Sequence, residues 1–177
     1  MRGWGWAALA AGLAIAGAAR AAVVDQAPGG FQVEEKVEIA ASADKVWSAL
    51  GQYGGWWNSK HTWSGDARNL SLDLKSGGCL CETLPNGGGA HHMTVIFAAP
   101  GKRAILDGTL GPLMYAGASG HWIWSLAEND GKTTLTWDYA VGGYMKGGLG
   151  AIAGDVDEVL TEQLGRLKSY VETGKPA

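Results

Sequence analysis

The stretch Leu149 to Ala177 limits the rest of the chain most strongly. Its apolar residues Leu149, Ile152, Val156, Val159, Leu160, Leu164, Leu167, Tyr170 and Val171 recur mostly at steps of three and four. That spacing puts them on one face of an α-helix. Acids (Asp155, Asp157, Glu158, Glu162) crowd its first half and Arg166 and Lys168 its second, which suits the helix dipole. Gly174 and Pro176 end it. The start is open between Leu149, with a bend at Gly154, and Asp155. A long helix with one apolar face needs a broad apolar surface to lie on, and the preceding chain has to supply it.

That chain reads as short strands joined by turns. Phe31–Ile39 alternates apolar and polar, with Glu35 breaking the alternation. Ser42 is placed to cap a helix through Leu50, whose buried face would be Val46, Trp47 and Leu50. The Trp56–Asp66 stretch has no clean period and is expected to be a helical turn and a loop. Six further strands are predicted at 70–74, 79–83, 91–98, 103–107, 120–127 and 132–141. Gly77-Gly78, Asn86-Gly87, Pro100-Gly101 and Asn129-Asp130-Gly131 mark turns between them. Gly108–Ser119 is expected to be loop. Strand, helix, six hairpin-linked strands and a long helix make an antiparallel α+β domain.

Arg2 precedes an apolar run from Gly3 to Ala19, followed by Ala19-Arg20-Ala21. This pattern predicts a signal peptide over 1–21, hence a periplasmic or secreted protein. Residues 22–30 read as a linker and 31–175 as the domain. No stable membrane insertion is expected after cleavage. The full sequence carries 14 Lys plus Arg against 17 Asp plus Glu; losing Arg2 and Arg20 leaves 12 against 17, a net charge of −5. With no basic face, nucleic acid is a poor partner. The oligomeric state is left open.

The run Val37 to Leu50 resembles the opening of the START/SRPBCC superfamily, and the polyketide cyclase/dehydrase-type branch in particular. Trp56-Trp57, Gly77-Gly78, Pro100-Gly101-Lys102, Trp124-x-Leu126 and Gly131-x-Thr133-x-Leu135-x-Trp137 fall where that family has its markers. The resemblance implies a helix-grip fold: a seven-stranded antiparallel sheet wrapped around the C-terminal helix, with a cavity between them. It implies a small hydrophobic ligand and carries over no catalytic residue; no cofactor is expected.

Seven Trp lie beyond residue 21, and aromatic surplus either fills a core or lines a cavity. The candidate lining is Trp56, Trp57, Trp63, Met114, Tyr115, Trp122, Trp124, Trp137, Tyr139 and Tyr144. His61, Asp66 and Tyr139 are candidates for an acid/base set at the mouth. On the 79–98 hairpin an even register groups Cys79, Cys81, His91 and Met93 on the inner face, and leaves Glu82 and His92 outside and solvated. Three readings of this group stand: two buried thiols, a Cys79–Cys81 disulfide, or a soft-metal site. A strand spacing of ~6.5–7 Å at Cα disfavours the disulfide without a kink.

Three functions fit these observations. One is a binding protein for a small hydrophobic or aromatic ligand. The second is a cyclase, dehydratase or hydrolase acting on a polyketide-like substrate. The third is a partner-binding module, which needs the Trp56–Trp63 loop facing solvent.

Overall fold

The computed structural model describes residues 20–177. Its frame is one antiparallel sheet: β1 Arg20–Ala27, β2 Gly30–Ile39, β3 Leu70–Leu72, β4 Cys79–Thr83, β5 Gly89–Ala99, β6 Arg103–Gly108, β7 Gly117–Asn129 and β8 Lys132–Tyr144. The spatial order is β1-β2-β8-β7-β6-β5-β4-β3. All but one of the neighbouring pairs are also neighbours in sequence. The exception is β2 against β8, which brings the start of the domain beside its end (Phe31 opposite Val141, Ile39 opposite Thr133). Among the described residues three α-helices complete the fold: α1 Ala43–Gly51, the single turn α2 Tyr53–Trp56, and α3 Ala153–Thr173.

The sheet has eight strands, one more than expected, because the predicted linker pairs. Val23 lies opposite Val33, and the chain turns at Pro28-Gly29 into β2. Of the predicted signal peptide, residues 1–19 lie outside the described residues, and Arg20 and Ala21 begin β1. Among the described residues no helix is long and apolar enough to cross a membrane.

The inward rows of β2, β7 and β8 form the floor of the core: Phe31, Val33, Val37 and Ile39, then Trp122 and Trp124, then Leu135, Trp137, Tyr139 and Val141. α3 lies over β1 and β2 and touches α1, burying Leu160, Leu164, Leu167 and Val171. It begins at Ala153 after a 3-10 turn over Leu149–Ile152. Gly174, in the left-handed region at φ 81°, stops it, with its N–H donating to Tyr170 O at 2.9 Å. α1 is capped by Ser42 as expected, but buries Val46, Ala49 and Leu50 while Trp47 stays half-exposed.

Two β-bulges bend β5, and the first lies beside the site described below. Leu80 pairs with Met93 and Cys81 with His91, so His92 is an extra residue. Gly108 on β6 makes room for it. A Cβ there would sit 2.4 Å from His92 O, and φ is +140°. Gly108→Ala is therefore expected to destabilise the fold by more than ~1 kcal/mol, read as a lowered urea midpoint.

Candidate functional site

A cavity of about 460 Å³ opens where α3 leaves the sheet uncovered, between α2, the loop after it, β4, β5, the segment Leu110–Leu113 and the first turns of α3. Each wall has a local cause. The aromatic loop is clamped to α3: Arg166 Nε donates to Trp56 O at 2.9 Å, and the Asn58 N–H donates to Gln163 Oε1 at 2.8 Å. The Asn58 amide also donates to Glu162, whose other oxygen is 3.0 Å from His61 Nε2. Leu110 N donates to the Tyr139 hydroxyl at 3.3 Å, tying the 110–113 segment to β8. From α3 come Val156, Val159 and Leu160, three and four residues apart, about one turn, and so on one face.

The sequence candidates divide into three groups. Trp57, Trp63 and Tyr139 line the cavity. Trp56, Trp122, Trp124 and Trp137 do not; they are fully buried in the closed core. Ring centroids are 4.8 Å apart for Trp122–Trp137 and 5.0 Å for Trp122–Trp124, both edge to face. This cluster backs the wall, since Trp57 touches Trp122 edge-on at 6.5 Å. Met114 is half-buried off the cavity, while Tyr115 and Tyr144 are exposed. Tyr115 packs on Trp63 at the rim, with centroids 5.4 Å apart.

The acid/base set His61, Asp66 and Tyr139 is not assembled. His61 is at the cavity but ion-pairs with Glu162. Asp66 is away from it, caps the 3-10 turn Ala67–Asn69 and binds Arg68. Nor does the Trp56–Trp63 loop offer an aromatic patch to a partner: Trp56 and Trp57 are buried and only Trp63 is partly exposed.

The bulge at His92 reverses the faces expected for the hairpin. Leu80, Glu82, His92 and Met93 are buried; Cys79, Cys81, His91 and Thr94 face the other way. Glu82 and His92, expected outside, thus form a buried pair, with His92 Nε2 3.0 Å from Glu82 Oε2. A carboxylate only accepts, so Nε2–H donates and Nδ1 is left for another partner. Glu82 also accepts from Ser64 N at 2.5 Å and Trp63 N at 3.2 Å. Burial alone would raise its pKa, but the hydrogen bonds from Ser64, Trp63 and His92 outweigh it and hold the carboxyl below its ordinary range. His92 lines the cavity, and its Nδ1 has no protein partner.

Two phenols share that wall. The Tyr53 hydroxyl is buried without a partner, and burial, then the nearby Tyr139 phenol, pushes its pKa well up. Burial likewise raises Tyr139, against a smaller opposing effect of the Leu110 N–H. Both stay protonated at neutral pH and can donate. The cavity therefore combines an apolar body (Leu70, Leu80, Leu113, Val156, Val159) with the buried polar groups of Tyr53, Tyr139 and His92, and with Lys60, His61, Thr62 and Asp155 from the loop and α3. Periodicity missed Tyr53 and His92. The one sequence signal for Tyr53 is its place beside Trp56-Trp57, and for His92 there is none short of knowing the bulge.

The model of the family described as polyketide cyclase/dehydrase and lipid transport matches residues 30–172. The chain belongs to that family. It is similar in fold to a conserved protein of unknown function, EF2215 from Enterococcus faecalis, with 18% identity over 90% of this chain and 80% of that one and a TM-score of 0.61. It is also similar to CalU16 from Micromonospora echinospora, with 16% identity, 84% and 78% coverage and a TM-score of 0.56. DynU16, from the dynemicin biosynthetic locus, gives 23% identity over 82% of this chain and 48% of its own, with a TM-score of 0.58. No curated protein matches the chain. At these identities the structural likeness establishes the helix-grip fold, an α+β antiparallel sheet around a long C-terminal helix.

Proposed function

We propose that the protein binds a small hydrophobic or aromatic molecule that carries an oxygen function. The supporting observation is the cavity: its volume is in the range of small-ligand sites, its body is apolar, and Tyr53, Tyr139 and His92 give it a few buried polar groups. The unpartnered Tyr53 hydroxyl is a buried donor, and leaving such a group unmatched costs about 1–3 kcal/mol. A ligand oxygen accepting from it removes that cost. A polyketide-type ring system has this combination of flat apolar surface and peripheral oxygen.

A second reading, acid/base chemistry on that ligand, is favoured by one observation: His92, backed by Glu82, lines the cavity with Nδ1 free. An imidazole held by a carboxylate is the arrangement a general base requires. Cyclisation and dehydration both begin with removal of a proton next to a carbonyl. If this is its work, wild type converts the bound compound and His92→Gln does not.

Export to the periplasm or beyond belongs to the same proposal. The Cys79–Cys81 disulfide suits an oxidising compartment, and cleavage after Ala21 leaves the pairing of Ala22 with Glu34 in place. Native mass spectrometry of the protein as purified from its own host tests both parts. The expected result is a chain starting at Ala22 with one retained small molecule. A ligand-free mass, together with no fluorescence change on adding an apolar probe, overturns the binding reading; an intact Met1 overturns the export reading.

A further inference from the structure

The bulge that turns His92 inward also builds a second constellation on the opposite face of the sheet. In a regular strand His91 and Thr94 would point to opposite sides. With His92 inserted both lie on the outer face, and His91 Nε2 is 2.8 Å from Thr94 Oγ1. Across the ladder Cys81 pairs with His91 and Cys79 with Thr94. His91 Nδ1 therefore faces the sulfurs, 3.4 Å from Cys79 Sγ. The two sulfurs and one ring nitrogen lie within 4.8 Å of one another. The cysteines are joined as a disulfide across a Cα distance of only 5.4 Å. The strand is thus pinched at Leu80, which supplies the kink that such a short bridge requires.

We infer that Cys79, Cys81 and His91 form a redox-gated site for a soft or borderline d10 cation, Zn(II) or Cu(I), distinct from the cavity. In the oxidised chain the sulfurs are bonded to each other and no thiolate is available. A dithiol reductant delivers two electrons and two protons, breaks the S–S bond to leave two thiols, and becomes a disulfide itself. Metal binding then displaces the two thiol protons to solvent, giving two thiolates and one neutral imidazole. The donor set is that of zinc and copper(I) sites, with one position left for water or an outside ligand. Thr94 plays the part of an outer-shell partner. By engaging Nε2 it fixes the ring and leaves Nδ1 for the metal. Met93, grouped with these residues on sequence grounds, is not a ligand: it is fully buried on the other face.

The test uses the full chain in two redox states. Protein reduced with dithiothreitol and desalted without oxygen is titrated with Zn(II) against a chromogenic chelator, beside untreated protein. One Zn(II) per chain is expected in the reduced form and none in the oxidised form. His91→Ala, reduced in the same way, should bind at least about 10-fold more weakly. Equal Zn(II) uptake by the two redox states, or equal affinity of wild type and His91→Ala, overturns the assignment. The redox comparison is made on wild type, so it stands even if a variant misfolds.

Discussion

Replacing Glu35 by Gln is expected to flatten the pH dependence of stability and to raise stability at alkaline pH. Glu35 puts a carboxyl in the inward row of β2, between Val33 and Val37 and opposite Trp137. Its side chain is fully buried, and neither carboxyl oxygen has a protein partner. Burial, then the charges of Asp157 and Asp138, push its pKa from 4.5 to about 9. The folded chain therefore holds a proton that the unfolded chain releases above pH 4.5. Between the two values the native state binds more protons, so stability falls as pH rises and is fully lost from this group only above about 9. Each unit of pH in that window removes about 1.4 kcal/mol. At pH 7.5 the loss is on the order of 4 kcal/mol, a large part of a typical domain's stability. Gln carries no charge to bury, so the variant and wild type should converge near pH 4–5 and separate towards pH 8. Urea denaturation at a series of pH values reads this directly, and parallel curves would contradict it.

Trp122→Ala should be the most damaging single truncation. Trp122 is fully buried where β7 meets β8, and touches Trp57, Trp124, Trp137 and Tyr139. Two of these neighbours, Trp57 and Tyr139, line the cavity. Removing the indole costs about 3–5 kcal/mol, through lost burial and the void left behind. Because that void lies behind the wall, the variant should also lose ligand affinity. Trp124→Ala, one step further from the cavity, should lose stability alone. Denaturation midpoints and probe binding on both variants separate the two effects.

Part of the frame is legible in the sequence itself. Steps of three and four fixed α3, and Asn129-Asp130-Gly131 fixed the β7–β8 hairpin; both depend on local geometry. The β1 strand was missed because Ala22–Ala27 carries no alternation and gains its order from pairing with β2. The division of the Trp residues was also hidden. Trp137 and Tyr139 sit two residues apart on one face of β8, yet one is sealed in the core and the other meets the cavity. The difference is set by where the loop and α3 come to rest, which is tertiary information. The β4–β5 hairpin misled for a sharper reason. One extra residue at His92 reversed which side chains face inward, and Met93, Val95 and Phe97 gave an apolar parity that hid it. Phe97 is in fact exposed.

The claim that this cavity receives an apolar ligand is tested most directly by filling it. Val159, on the exposed end of α3's buried face, projects into the space, and Val159→Trp adds an indole there. Titration with the neutral dye N-phenyl-1-naphthylamine should show one saturable site per chain in wild type. In a folded Val159→Trp protein binding should fall at least about 10-fold, the effect of losing ~1.4 kcal/mol. Unchanged saturable binding by the filled variant would contradict it.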